Sequence, residues 1–407
     1  MANKNIFKFP EGFLWGTSTS AYQVEGGIDN DWSEWEKSEK RINDLKKQGK
    51  NPADFISGRA CDSYHLYKTD FALAKSLNNN AIRFGIEWAR VQPKKGEWDL
   101  KGLEHYRSVF REAKRNGFDI VLTLWHWTSP TWVAHEDGWE NKETVKYYLE
   151  YVEKMVKEYG HFVDYWITLN EPMVPVSNGY IKGTFPPAEK CLFKARRVMN
   201  NLALANNRAY KIIHQYFPNA KVSITGLWNC YEPAHWWNLI DLVLAKVFNF
   251  FGNQLFFWKI RKHFDFIAID YYFHDRIISS FPFIKDLNKQ TTDMGWEIYP
   301  IGLYKILKDL ARFKKQIIIM ENGIADAKDL KRGAFITEHL YYVHKAIREG
   351  VDVRGYFYWS LLDNFEWAHG FGPKFGLYEV DYKTMERKAR PSVEVYKAIC
   401  RDNRIEI

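Results

Sequence analysis

The strongest constraint on this 407-residue chain is a rhythm. Eight short apolar runs rich in β-branched and aromatic residues recur along it, interleaved with stretches of helical periodicity. The runs are 13–19 (FLWGTST), 80–88 (NAIRFGIEW), 120–127 (IVLTLWHW), 165–171 (YWITLNE), 221–228 (KVSITGLW), 264–272 (FDFIAIDYY), 316–323 (QIIIMENG) and 353–364 (VRGYFYWSLLDN). Between them, 61–77, 103–117, 142–160 and 337–350 repeat apolar residues at spacings of three and four, the pattern of an amphipathic helix. Strands that are apolar at nearly every position are buried on both faces, which parallel strands achieve under a layer of helices. Eight such units predict one α/β domain over residues 1–407, a single (β/α)8 TIM barrel whose chemistry gathers at the C-terminal ends of the strands. A doubly wound open sheet shares the alternation, but no GxGxxG opens the first strand–helix turn.

Composition narrows the function classes. A net charge of +8 is scattered, with Lys46-Lys47, Lys94-Lys95 and Lys314-Lys315 set among acidic residues. No basic block with interleaved aromatics stands out, which argues against a nucleic-acid partner. Cys61, Cys191, Cys230 and Cys400 are far apart and form no CxxC pair, so neither a zinc site nor a disulfide scaffold is expected. The opening MANKNIFKFPEG has no apolar signal core, and the expected setting is the reducing cytoplasm. The most apolar window, 236–260, is broken by Asp241 and Lys246 and is not expected to cross a bilayer. A helix packed on the barrel is its favoured reading, and weak association with a membrane surface is the second.

The strand ends share a chemistry. They offer Gln23 after the first, Arg83 in the second, His126-Trp127, Asn170-Glu171, Asp270 with Tyr272, Glu321-Asn322 and Trp359, and the last loop adds Glu366-Trp367. Pro172 disfavours helical geometry for Glu171, which is therefore expected to leave its strand extended. Glu171 closes the fourth strand and Glu321 the seventh, so a barrel sets two carboxylates across one mouth. Metal binding would call for a tighter His/Asp/Glu cluster and would have Arg83 as a competitor, so no metal and no cofactor are expected. Glycoside cleavage fits better. It needs one ionised and one protonated carboxyl group, and a rim of planar polar groups and aromatics suits a sugar's hydroxyls and ring face.

These same residues carry a resemblance. FLWGTSTSAYQVEG, IRFGIEWARVQP, LTLWHW, TLNEP, DFIAIDYY, IIMENGIA and YWSLLDNFEWAHGFGPKFGLYEVDY resemble, in order, the signatures of family 1 glycoside hydrolases, the β-glucosidase/β-galactosidase group. The tail KTMERKARPSVEVYKAI resembles archaeal-like members, and the similarity runs from about residue 7 to residue 400. The resemblance implies a retaining β-glycosidase acting by double displacement on a small carbohydrate or an aryl or alkyl glycoside. Glu321 would be the nucleophile and Glu171 the acid/base. Arg83, Asn170 and Tyr272 would support them. Gln23, His126, Trp127, Trp359, Glu366 and Trp367 would bind the substrate, with Asn170 also on the glycone and Glu366 repelling a 6-phosphate.

The chain departs from the family's pattern in three ways. It is short, with 228–264, 273–296 and 324–335 abbreviated; TSP follows His126-Trp127 in place of DLP; and Asp270 stands where Asn is usual. Two other functions keep the same residues. One is transglycosylation, in which an alcohol or sugar intercepts the glycosyl-enzyme. The other, from a different class, is a catalytically weak sugar-binding barrel.

Overall fold

The computed structural model describes residues 5–285 and 290–407. The start of the N-terminal segment read for a signal core and part of the abbreviated 273–296 stretch lie outside the described residues. The eight expected strands form, as β1 Leu14–Ser18, β2 Ala81–Gly85, β3 Asp119–Thr123, β4 Tyr165–Ile167, β5 in two pieces (Lys221–Ser223 and Thr225–Leu227), β6 Ile267–Tyr271, β7 Ile317–Asn322 and β8 Val353–Trp359. All pairings between neighbours are parallel. The first piece of β5 pairs with β4 and the second with β6, so one interrupted strand closes the sheet into a barrel. Closure removes the sheet edges that an open arrangement would expose.

The two-residue period of a strand separates two apolar layers. Ala81, Val121, Tyr165, Ile167, Ala268, Ile318, Met320 and Phe357 pack inside the barrel with Leu14 and Phe266. Their neighbours Ile82, Ile120, Leu122, Trp166, Ile267, Ile269, Ile317, Ile319, Tyr356 and Tyr358 join the larger core shared with the helices. The helices 63–76, 100–115 and 143–159 fall close to the expected stretches, while the last begins five residues early, at Arg332. The apolar plug fills the barrel's lower part. Above it the inward positions turn polar, and β2, β3 and β6 carry buried Arg83, Thr123 and Asp270.

The 236–260 segment does not pack as a conventional barrel helix. Helix Leu239–Asn249 runs through a wide turn, Phe250–Gln254, into helix Leu255–Ile260. Asp241, Ala245, Phe256, Phe257 and Ile260 face the domain, but much of the remaining apolar surface is exposed.

Candidate active site

Glu321 is aimed by an irregularity in β7. Ile318 and Met320 already point inward, so strict alternation would turn Glu321 out. A register shift between Ile319 and Glu321 brings it back to the barrel mouth. There Arg83 Nη1 donates to its Oε1 at 2.5 Å and Tyr272 OH donates to its Oε2 at 2.9 Å. Asn322, the next residue, faces away. Its amide donates to the Tyr271 carbonyl and accepts from Tyr356 OH, so it braces the strand end.

Glu171 leaves β4 in a left-handed turn with φ +39°, not extended as its position before Pro172 suggests. The chain must pass at once from strand to the helix Met173–Ser177. The Glu171 N–H stays on the ladder, to the Thr225 carbonyl at 3.1 Å, while its own carbonyl already accepts from Val174 N–H. Ladder and helix together hold a residue in sparsely populated φ/ψ space, as is common at functional sites. Trp127 (φ +76°) and Trp367 (φ +50°), which line the same cleft, also have positive φ.

Beneath these two lies a polar floor. Arg83 is fully buried, with Nε on Thr123 Oγ1 and Nη2 on Asn170 Oδ1. Thr225, which the sequence reading did not single out, also donates to Asn170 Oδ1. That leaves the Asn170 amide N–H for His126 Nε2 at 3.0 Å. Burial and the Arg83 charge hold the His126 pKa far down, so the ring is neutral and its proton sits on Nδ1, which has no protein partner. Asn170 is thus fully buried and positions its neighbours.

The third carboxylate is Asp270. As the strand period predicts, it shares the inner face with Tyr272, and it is completely buried. Oxygens of Glu171, Asp270 and Glu321 lie within 4.8 Å of one another. The cation on this cluster is Arg83. Arg276, six residues further along the chain, ion-pairs with Glu297. Both Asp270 oxygens and Glu171 Oε1 lack a protein donor. Carboxylates this close repel one another when both are ionised, which favours a proton on Glu171 or Asp270. The titration directions agree. Burial first, then the charges of Asp270 and Glu321, push Glu171 well up. Burial and Glu321 push Asp270 well up too. Burial also raises Glu321, but Arg83 and Tyr272 pull against it, so Glu321 ionises most readily of the three.

The cleft above has a volume of 1510 Å³ and is lined by Gln23, His126, Trp127, Glu171, Tyr272, Glu321, Trp359, Glu366 and Trp367, among others. Gln23 Nε2 reaches the Phe365 carbonyl and Glu366 Oε2. Trp127 spends its indole N–H on the Asn170 carbonyl and so presents a ring face. Burial, then the Glu321 charge, raises Glu366 to about 8. It is therefore mostly neutral at pH 7, which weakens the repulsion of a phosphate expected from the sequence. Trp296 and Phe375, which that reading did not single out, extend the wall beside Trp359 and Tyr272. A second group of ligand-type residues, Cys230, Glu232 and His274, sits outside the active centre. Burial holds the Cys230 thiol protonated, up to about 12, and Lys305 already neutralises Glu232.

The comparisons agree with this geometry. The model for glycosyl hydrolase family 1 matches residues 6–260 and 243–405. Beta-glucosidase A of Acetivibrio thermocellus is 33% identical, over 97% of this chain and 98% of its own. That alignment runs over 447 positions, more than this chain's 407 residues, so the relative carries segments missing here. Among solved structures, a beta-glycosidase from Pyrococcus horikoshii superposes with a TM-score of 0.89 at 37% identity, covering 98% of this chain and 96% of that one. A beta-glucosidase from Thermotoga maritima in complex with glucoimidazole has a TM-score of 0.90 at 30% identity, covering 97% and 99%. Through its barrel, its paired carboxylates and these matches along nearly its whole length, the chain belongs to glycosyl hydrolase family 1.

Proposed function

We propose that this protein is a retaining β-glycosidase that hydrolyses terminal, unphosphorylated β-D-glycosides of the glucoside, galactoside or fucoside type. Residues 1–407 act as one catalytic domain. The observation that carries this reading is an asymmetry across a short gap. Glu321 accepts from Arg83 and Tyr272, whereas Glu171 is buried with one oxygen unpartnered and two more carboxylates beside it. Oxygens within 4.8 Å of one another are compatible with a retaining pair, whose carboxyls stand about 5–5.5 Å apart.

In this reading the Glu321 carboxylate attacks the anomeric carbon while protonated Glu171 gives its proton to the departing glycosidic oxygen. Glu171, now ionised, takes a proton from water as that water displaces Glu321 and restores the β anomer. An alcohol or sugar in place of water gives transglycosylation from the same intermediate. Gln23, the Nδ1–H of His126 and Glu366 meet the glycone hydroxyls, and the Trp127, Trp359 and Trp367 rings meet its apolar faces. The glucoimidazole complex of the Thermotoga maritima relative supports a glucose-like ring at this end. A 6-phosphate would meet Glu366, a carboxyl group, where a cation would be needed. The non-catalytic reading loses support because both glutamates and the partners that set them apart are in place. Four free thiols, three of them buried, support a reducing, cytoplasmic setting.

Two variants test the roles. Glu321→Ala should abolish turnover, with azide restoring it as an α-glycosyl azide. Glu171→Ala should slow substrates with poor leaving groups by about 10²–10⁴-fold and largely spare activated aryl glycosides. Equal sensitivity of the two variants to leaving-group pKa would contradict the assignment.

A further inference from the structure

The outer face of 236–260 breaks the rule that apolar helix surface is covered. Trp236, Trp237, Leu239 and Ile240 are 61–77% exposed, and Phe251 and Trp258 are 57% and 60% exposed. The helix Leu239–Ile260 has a mean hydropathy of 1.3 in its most apolar window, yet only 22% of that window is buried. A core helix with this composition would be covered. Its inner face is held by the domain, with Asp241 on His235 and on the Ser279 N–H, so the segment lies along the surface and does not cross a membrane.

We infer that this face seats on an anionic lipid surface and feeds the cleft with glycosides carrying an alkyl or lipid aglycone; the substrate half of this inference rests on the glycosidase reading above. Three observations select a lipid surface as the occupant. The first is charge. Between 236 and 262 the one acidic residue is Asp241, buried and paired, while Lys246, Lys259, Arg261 and Lys262 leave the segment with a cationic balance. Cations at the edge of an apolar helix face complement anionic headgroups. The second is the placing of tryptophan at both ends, Trp236 and Trp237 at one and Trp258 at the other, where an indole's amphipathic ring suits the headgroup level. The third is continuity with the active site. Phe251, Ile284, Ile181 and Leu192 are exposed and also line the cleft that holds Glu171 and Glu321. A second copy of the chain seated on these residues would cover the cleft mouth, whereas a lipid surface supplies substrate to it.

The experiment uses the full-length protein in two arms. In the first, the protein is floated with vesicles of phosphatidylglycerol or of phosphatidylcholine, beside a Trp237→Gln/Ile240→Gln variant, both positions being exposed and outside the cleft lining. The wild type should float with phosphatidylglycerol about tenfold or more over phosphatidylcholine, and the variant should lose most of that binding. In the second arm, the variant should keep p-nitrophenyl β-D-glucoside hydrolysis within about twofold but lose about tenfold on dodecyl β-D-glucoside held in phosphatidylglycerol vesicles. Wild type that stays unbound to both vesicles overturns the inference, as does a lipid-independent dimer that the variant dissolves. Flotation requires no turnover. Protein that floats but cleaves no glycoside therefore refutes the activity alone, and protein that cleaves but does not float refutes the surface alone.

Discussion

A carboxyl group that must hand a proton to a glycosidic oxygen needs surroundings that keep it protonated until that step. Glu171 has three such influences: burial, Glu321 and the unusual Asp270. An Asn in place of Asp270 would remove a negative neighbour and could offer an N–H to ionised Glu171, and both changes favour the charged form. Asp270→Asn is therefore expected to retain turnover while the alkaline limb of the kcat/KM pH profile moves to lower pH, because Glu171 then loses its proton earlier. A pH-rate series on one aryl glycoside reads this directly, and an unmoved alkaline limb would mean that Asp270 does not share the Glu171 proton. That Asp270 shares a face with Tyr272 was legible from strand period alone. Its closeness to both glutamates was not, since sequence spacing gives no distance across a barrel.

At the scale of elements, the strand ends were readable because apolar β-branched runs stop abruptly in polar residues. Two local geometries escaped that logic. The pre-proline preference pointed to an extended Glu171, but the ladder bond to Thr225 and the helix starting at Met173 together impose φ +39°. Alternation along β7 would have turned Glu321 away, and only the register shift after Ile319 brings it inward. Neither a ladder nor a bulge is written in a single strand's sequence. Thr225 escaped notice for the same reason, as its role exists only once β4 and β5 are neighbours. The loops have a consequence for substrates. Apolar Phe251, Leu255 and Ile284 form part of the wall of the 1510 Å³ cleft. We expect kcat/KM to stay within about threefold from a β-linked disaccharide to the tetrasaccharide, since the Phe251, Leu255 and Ile284 side chains of this wall offer an added sugar unit no hydrogen bond. A rise of about tenfold or more along that series, measured by initial rates, would show built positive subsites.

For the whole molecule, the barrel was legible because its constraint is global. Eight buried parallel strands have few ways to avoid an edge, and closure through the split β5 is the simplest. The surface of 236–260 was less legible. A helix that is apolar on nearly every side reads alike whether it is buried or covered by something outside the chain, and periodicity cannot say which of two apolar faces meets the barrel. In the proposed reading, the whole assembly holds Glu321 and Glu171 on opposite sides of one anomeric carbon, close enough that the enzyme itself, and not water, makes the first attack. The stereochemistry of the first-formed product reads that claim without any mutation. Proton NMR during hydrolysis of an aryl β-D-glucoside, recorded before mutarotation, should show the β anomer accumulating first; initial appearance of the α anomer would contradict the double displacement.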